Sequence, residues 1–371
     1  MLAGAALLVA VASPSALAQS PPLRFKGDLL ARQEWTQNLF TTPCAQCHTV
    51  GPDQRGRLQF RPRIETQVSS LRLIAGAEIN FSSDTNAAPT DITLPVRPIR
   101  DNYDSRGIRL DLASLGINPL PDLEIDAGRM VMPFRVTEMM WDRDLRVQGA
   151  VAKWTRVSEE SGLETLRLSA VYSRGSHVFR DSAGSFPGSG TTLTGVSVDF
   201  GVGSSKRADL TASYLRFDGT EHLDTVIRRQ NTGSTSDALG RNFGIIDLVG
   251  RFRSDTRVPL QLVLNYAMNH RAVGNPTGLW AAFVAGSFRD ARVRGEYTYA
   301  SVDRDLTLAA YAGDDFFWGT GWDGHRVDLG FAPWATSSFH IVGQWQRFKE
   351  TADPVERAWI RRWRLEARRT F

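Results

Sequence analysis

The chain is poor in two residue types. Only two of its 371 residues are cysteine, and only four are lysine (Lys26, Lys153, Lys206 and Lys349), so arginine supplies forty of the forty-four basic residues. Beyond Gln19 no run of about twenty apolar residues occurs, which excludes a transmembrane helix. There is also no hydrolytic triad, no glycine-rich phosphate loop and no carboxylate pair at credible spacing, so the sequence does not read as an enzyme of the hydrolase or kinase kind. The mean hydropathy of −0.25 would suit a soluble protein. A β-barrel hides from that average, because polar lumen-facing residues alternate with apolar lipid-facing ones. The net charge is +4. The basic residues are spread along alternating segments rather than gathered in a tail or helix, so nucleic acid is not an expected partner.

The N-terminus sets the address. Ala5 to Ala12 is a short apolar run, and Ala16-Leu17-Ala18 is a small-residue cleavage site before Gln19-Ser20. Residues 1–18 therefore read as a secretory signal peptide, although no Lys or Arg precedes the apolar run. The remainder, 19–371, reads as one unit.

That unit alternates with period two from residue 23 to the end. Leu58, Phe60, Ile64 and Val68 share one face of a strand whose other face is Gln59, Arg61, Arg63, Glu65 and Gln67. Leu166, Leu168, Ala170 and Tyr172 oppose Arg167, Ser169 and Ser173, and Val293, Tyr297 and Tyr299 oppose Arg292, Arg294, Glu296 and Thr298. Trp363, Leu365, Ala367 and the terminal Phe371 oppose Arg362, Arg364, Glu366, Arg368 and Thr370. A soluble sandwich alternates too. Connection lengths discriminate better. Strands are expected to start near residues 23, 57, 71, 107, 122, 148, 164, 191, 208, 242, 258, 278, 290, 324, 338 and 359. The gaps between them alternate long and short. Outer-membrane barrels have short turns on one side, long loops on the other and an even strand number. The expected fold class is therefore all-β: a transmembrane antiparallel β-barrel of about sixteen strands, in the bacterial outer membrane.

The charged faces are expected to turn inward. Arg61, Arg63, Arg167, Arg292, Arg294 and Arg326 are the candidate pore-lining residues. They would act either as a basic ring that favours anions or as paired residues that stiffen the wall, since Glu65, Glu296 and Asp328 are interleaved on the same faces. The acidic run Asp303, Asp305, Asp314 and Asp315 is expected to be solvated or paired rather than a calcium site.

Both cysteines sit in one pentapeptide, Cys44-Ala45-Gln46-Cys47-His48, in the long gap 36–56. Cys-x-x-Cys-His is the attachment signature of c-type haem: Cys44 and Cys47 would form thioethers, and His48 would ligate the iron. The alternatives are a loop disulfide between Cys44 and Cys47 in an oxidising envelope and a metal site, for which the two further ligands needed are not obvious in 36–56. Met130, Met132, Met139, Met140, His177, His222, His270, His325 and His340 are candidate sixth ligands.

Several segments resemble the putative porin family of proteobacterial outer-membrane proteins. They are Gly27-Asp28-Leu29-Leu30-Ala31-Arg32, Arg57 to Val68, Gly128-Arg129-Met130-Val131-Met132-Pro133-Phe134 followed by Met140-Trp141-Asp142-Arg143-Asp144, and Asp305-Leu306-Thr307-Leu308-Ala309-Ala310-Tyr311 with Asp314-Asp315-Phe316 and Gly324-His325. The resemblance implies an outer-membrane pore for small solutes or ions and gives no solute. The haem motif is not a general feature of that family. Fused monohaem cytochrome–porins of iron-oxidising bacteria, the weaker analogue, also carry one Cys-x-x-Cys-His ahead of a barrel. Together these readings lead to a porin-like channel carrying one haem c and contributing to electron transfer at the outer membrane, with a periplasmic or extracellular redox partner. The alternative is a passive diffusion porin without haem. Outer-membrane lipid is a partner in both, and a homotrimer is a further expectation.

Overall fold

The computed structural model describes residues 23–37, 53–82, 107–157, 163–174, 191–202, 207–220, 231, 243–254, 256–289, 291–309, 311–313, 315–316, 320–334, 338–351 and 359–371. The signal segment 1–18 and the Cys44–His48 motif lie outside them.

The described residues form sixteen strands: β1 (Arg24–Gln37), β2 (Asp53–Val68), β3 (Leu71–Ser82), β4 (Gly107–Leu120), β5 (Leu123–Val131), β6 (Arg146–Val157), β7 (Leu163–Arg174), β8 (Thr192–Val202), β9 (Ala208–Asp218), β10 (Phe243–Ser254), β11 (Leu260–Asn269), β12 (Thr277–Ser287), β13 (Val293–Val302), β14 (Trp322–Phe331), β15 (Phe339–Glu350) and β16 (Ile360–Thr370). Each pairs antiparallel with its neighbour in sequence, and β16 pairs with β1, so the sheet closes on itself. Closure satisfies every ladder without an open edge, which a hydrocarbon environment requires.

Alternation decides which residues face outward. Large apolar side chains are exposed on the outer wall of every strand but β6, from Leu29 and Leu58 through Leu168, Leu210 and Leu248 to Leu329 and Leu365. On a soluble protein such a continuous apolar belt would drive aggregation. On a barrel it is the surface that lipid covers. The short connections, such as 69–70 and 121–122, gather at one end, with the start of β1 and the end of β16. The long ones, including 38–52, 83–106, 132–145 and 303–321, gather at the other end. The connection 270–276 is the exception on the long side.

The terminal Phe371 completes the seam. Its main chain exchanges hydrogen bonds with Gly27, the Gly27 N–H donating at 2.9 Å and the Phe371 N–H at 3.1 Å. Its ring lies over Gly27, where a Cβ would sit 2.2 Å from the ring, and packs near Phe25 and Phe60. Glycine at residue 27 is what lets the last aromatic lie flat on the first strand.

Candidate functional site: a lumen crossed by two infolded loops

The inner wall is not uniformly polar. On β8 to β10, inward Leu193, Leu215, Phe217, Phe243 and Ile245 are buried, and Trp280 on β12 and Phe348 on β15 join them. A barrel wall that is apolar on both faces must pack against something inside. The partners are two segments folded in from the long-loop end. Segment 132–145 contributes Phe134, Met139, Met140 and Trp141, and the described part of 303–321 contributes Leu306, Leu308, Tyr311 and Phe316.

Segment 132–145 sweeps around the lumen. The main-chain oxygen of Arg135 accepts from Arg251 Nη2 of β10 at 2.6 Å, and the Arg135 guanidinium lies 3.4 Å from Asp209 of β9. Thr137 bonds Asn265 of β11. Glu138 pairs with Arg326 of β14 at 2.9 Å, and Asp144 pairs with Arg61 of β2 at 2.7 Å. Each of these anchors falls on a different part of the wall, so the segment spans the bore rather than lining one side.

The two infolded segments also hold each other. The Asp142 N–H donates to the Tyr311 oxygen at 2.7 Å, and the Gly313 N–H donates to the Glu138 oxygen at 2.7 Å. A Cβ on residue 313 would stand 2.9 Å from the Glu138 main-chain oxygen, so this approach needs glycine.

Asp315 is the hub of the second segment. Its carboxylate pairs with Arg32 of β1 at 2.7 Å, with Arg364 of β16 at 3.2 Å and with Arg143 of the first segment. Its main-chain oxygen accepts from Arg364 Nη1 at 2.5 Å, Gln346 Nε2 at 2.8 Å and Arg362 Nη2 at 3.1 Å. Burial opposes ionisation of Asp315, but Arg143, Arg32 and Arg364 outweigh it and hold the carboxyl well below the usual carboxylate range. Asp144 behaves alike: burial opposes its charge, and Arg61 and Arg57 hold its carboxyl low. Behind these contacts the wall carries its own ion pairs. Glu34 bonds Arg55 and Arg364, Glu78 bonds Arg61 at 3.1 Å and Arg109 at 2.7 Å, and Arg32 pairs with Glu366 at 2.7 Å.

The expected pore-lining residues divide. Arg61 and Arg326 face inward and are clamped between a wall carboxylate and an infolded segment. Arg63 pairs with Glu65 at 3.1 Å, and Arg294 pairs with Glu296 on the inner face of β13. Arg167 sits on the inner face of β7, opposite Asp199 of β8. Arg292 lies outside β13, in the turn before it, exposed and with φ of 57°. The strand starts three residues later than its alternation suggested, because the left-handed turn consumes residue 292. Cys44, Cys47 and His48 are not among the described residues. Met130, Met132, Met139 and Met140 are packed in the apolar core of the infolded segments. His325 is on the outer wall beside Tyr299, and the His340 ring stacks on Phe288. The Asp315 side chain is paired, as the acidic run allowed.

Sequence reasoning missed the clamps Glu34, Glu78 and Glu138, and Asn231. Asn231 donates to the Arg304 and Thr307 oxygens at 2.9 Å each and accepts from Ala309 N–H at 3.1 Å. The overlooked signal was apolar density in two long loops, Met139-Met140-Trp141 and Leu306 with Leu308.

A family model described as "Putative porin" matches residues 29–209. Among solved structures, the chain is similar to Salmonella typhi OmpF in complex with daunomycin, at 14% identity and TM-score 0.53, over 95% of this chain and 98% of that one. It is similar to OccK9 (OpdG) of Pseudomonas aeruginosa at 10% identity and TM-score 0.52, over 94% and 98%. It is also similar to a mutant of the Rh. blastica porin at 9% identity and TM-score 0.50, over 94% and 100%. At these identities the likeness is one of fold. No curated protein matches the chain. The closed sixteen-stranded barrel and its lipid-facing belt make this an integral protein of the bacterial outer membrane.

Proposed function

We propose that the barrel is a narrow outer-membrane diffusion channel for small solutes, constricted by segments 132–145 and 303–321 and biased toward anions. The observation that carries this reading is the asymmetry of exposed charge in the lumen. The side chains of Arg143, Arg253 and Arg63 are 44%, 44% and 42% exposed. The acids they face, Asp315 and Asp209, are 11% and 5% exposed, with Glu65 at 21%. Water and solutes in the bore therefore meet guanidinium groups more often than carboxylates. Exposed cationic groups along a pore favour anions. The wall ion pairs fix the positions of these groups without hiding them.

The test is single-channel recording on the refolded full chain in a planar bilayer under a potassium chloride gradient. A small, steady conductance with a reversal potential on the chloride side is expected. No conductance, or potassium selectivity, would overturn the reading.

A second reading rests on Cys44-Ala45-Gln46-Cys47-His48 itself: one covalent haem c, with Cys44 and Cys47 as thioether partners and His48 as proximal ligand, adding electron transfer at the outer membrane. Bound there, haem would supply a one-electron couple to a redox partner. Met130, Met132, Met139 and Met140 are packed in the apolar core, so a sixth ligand from among them would require repacking. Covalent haem staining after expression with a c-type maturation system decides this reading, and its absence leaves a haem-free channel.

A further inference from the structure

The outer wall carries a cationic patch that the channel does not use. Register places Trp345 of β15 opposite Trp363 of β16, and Trp363 opposite Trp35 of β1. This row of three outward indoles is an aromatic girdle, the element that marks a membrane–water interface on barrels. One pleat further toward the long-loop end, the outward row reads His325, Arg347, Arg361 and Gln37, each opposite the next. Lys349 and Trp359 stand just beyond. The Arg347 guanidinium lies 4.3 Å from the Trp359 ring centroid, and Lys349 Nζ lies 5.3 Å from it.

This row is electrostatically incomplete. Two arginines directly opposite on one face repel each other. Among the described residues, none of Arg347, Lys349 and Arg361 forms an ion pair, and Arg347 Nε is shut from solvent with no hydrogen-bond partner. Elsewhere the chain neutralises such groups: Arg216, at the outer rim of β9, pairs with Asp218 at 2.7 Å. Asp323 of β14 stands opposite Lys349 without forming an ion pair with it, and no acid stands opposite Arg347 or Arg361. The cluster lies one pleat above a tryptophan girdle, at the level of lipid headgroups and at the external end of the barrel. Guanidinium groups match phosphate oxygens with paired, charge-assisted hydrogen bonds.

We propose that the outer face of β14–β16 binds a phosphorylated glycolipid of the external leaflet. Its phosphate bridges Arg347 and Arg361 with Lys349 as third cation, and its acyl chains run down past Trp345 and Trp363. The proposal is independent of whether the barrel conducts.

The test is equilibrium binding of bisphosphorylated lipid A to the full chain folded in detergent micelles, with heat-dependent gel mobility confirming the fold of each variant. Arg347→Gln with Arg361→Gln is expected to weaken binding at least about tenfold, since each lost charge-assisted contact weakens affinity by roughly that factor. Arg347→Lys with Arg361→Lys retains most of the affinity. Arg369→Gln, outward on the same strand but at the opposite end, leaves it unchanged. Dephosphorylated lipid A binds no better than the double Gln variant binds the phosphorylated form. Equal affinity of wild type and double Gln variant, equal binding of dephosphorylated lipid, or equal binding of phosphatidylglycerol would each overturn the proposal.

Discussion

Replacing Asp315 by Asn tests whether the infolded segments are clamped by charge. The carboxylate contacts Arg32 and Arg364, whose side chains are 3% and 2% exposed, and Arg143, which is 44% exposed. Breaking a buried ion pair by removing one partner costs about 3–5 kcal/mol, because the other charge is left uncompensated. The Arg143 contact adds little to that figure, since water screens it. At ~1.4 kcal/mol per tenfold, the ratio of docked to released segment falls by roughly two to three and a half decades. Release is not complete in the variant. The Asp315 main-chain oxygen still accepts from Arg364, Gln346 and Arg362, and Phe316 stays in its apolar pocket. The wall itself is held by sixteen paired ladders that do not involve Asp315. The expected phenotype is therefore a folded barrel with a larger, noisier conductance and stronger anion selectivity, because one negative charge has left the bore. Single-channel recording and the reversal potential measure both effects, and unchanged heat-dependent gel mobility confirms the fold. A correctly folded Asp315→Asn channel with wild-type conductance and wild-type selectivity would refute the clamp.

Three further outcomes follow from the same contacts. Because Asp144 and Asp315 are held below the usual carboxylate range, their contribution is present above the unfolded value of about 3.9 and is lost only as pH falls through the lower folded values. The clamps made by these two acids should accordingly stay closed from neutrality to about pH 4, and release of the segments between pH 5 and 6, read as proteolysis within the bore, would show that other groups hold them. Gly313→Val forces a side chain against the Glu138 main chain and separates the two segments at a cost of about 1–3 kcal/mol; the readout is faster proteolysis within the bore with the gel mobility of the barrel retained. Arg362→Lys keeps the charge but cannot reach Gln346 and the Phe316 and Asp315 oxygens together. It should therefore open the channel about as Asp315→Asn does, and wild-type behaviour of the Lys variant would mean that charge alone suffices.

The strands were legible because their physics is local. A lipid-facing residue must be apolar, its neighbours face the bore, and short turns such as 69–70 and 121–122 join the strands on one side. Fifteen of the sixteen expected starts fall within three residues of the observed ones, and β2 starts earlier, at residue 53. The infolding was not legible, because it is decided by pairs far apart in sequence, such as Arg32 with Asp315 and Glu34 with Arg364. Alternation reports the facing of Arg61 and cannot report that Asp144 will descend to meet it. Two local signs nevertheless pointed inward. Phe243-Gly244-Ile245-Ile246 is apolar on both faces of its strand, and segment 132–145 is too apolar for a solvated loop. The haem motif lies outside the described residues, so its meaning still rests on the pentapeptide alone.

The scarcity of lysine has a structural reason in these contacts. Arg362 is fully buried. Its Nε donates to Gln346 at 2.5 Å, its Nη2 donates to the Phe316 oxygen at 2.7 Å and the Asp315 oxygen at 3.1 Å, and its guanidinium lies 5.1 Å from the Phe348 ring centroid. One planar fork thus joins β16, β15 and an infolded segment while lying over an aromatic face. An ammonium group is a compact, strongly hydrated point charge that cannot distribute donors in that plane and is costlier to desolvate. Where lysine occurs among paired residues it stays wet: Lys26 and Lys153 have side chains 39% and 30% exposed. A bore that must hold loops against its wall through buried cations selects guanidinium over ammonium at each clamp. The arginine excess is therefore first a consequence of holding the constriction in place, and the anion bias follows from the few guanidinium groups left facing water.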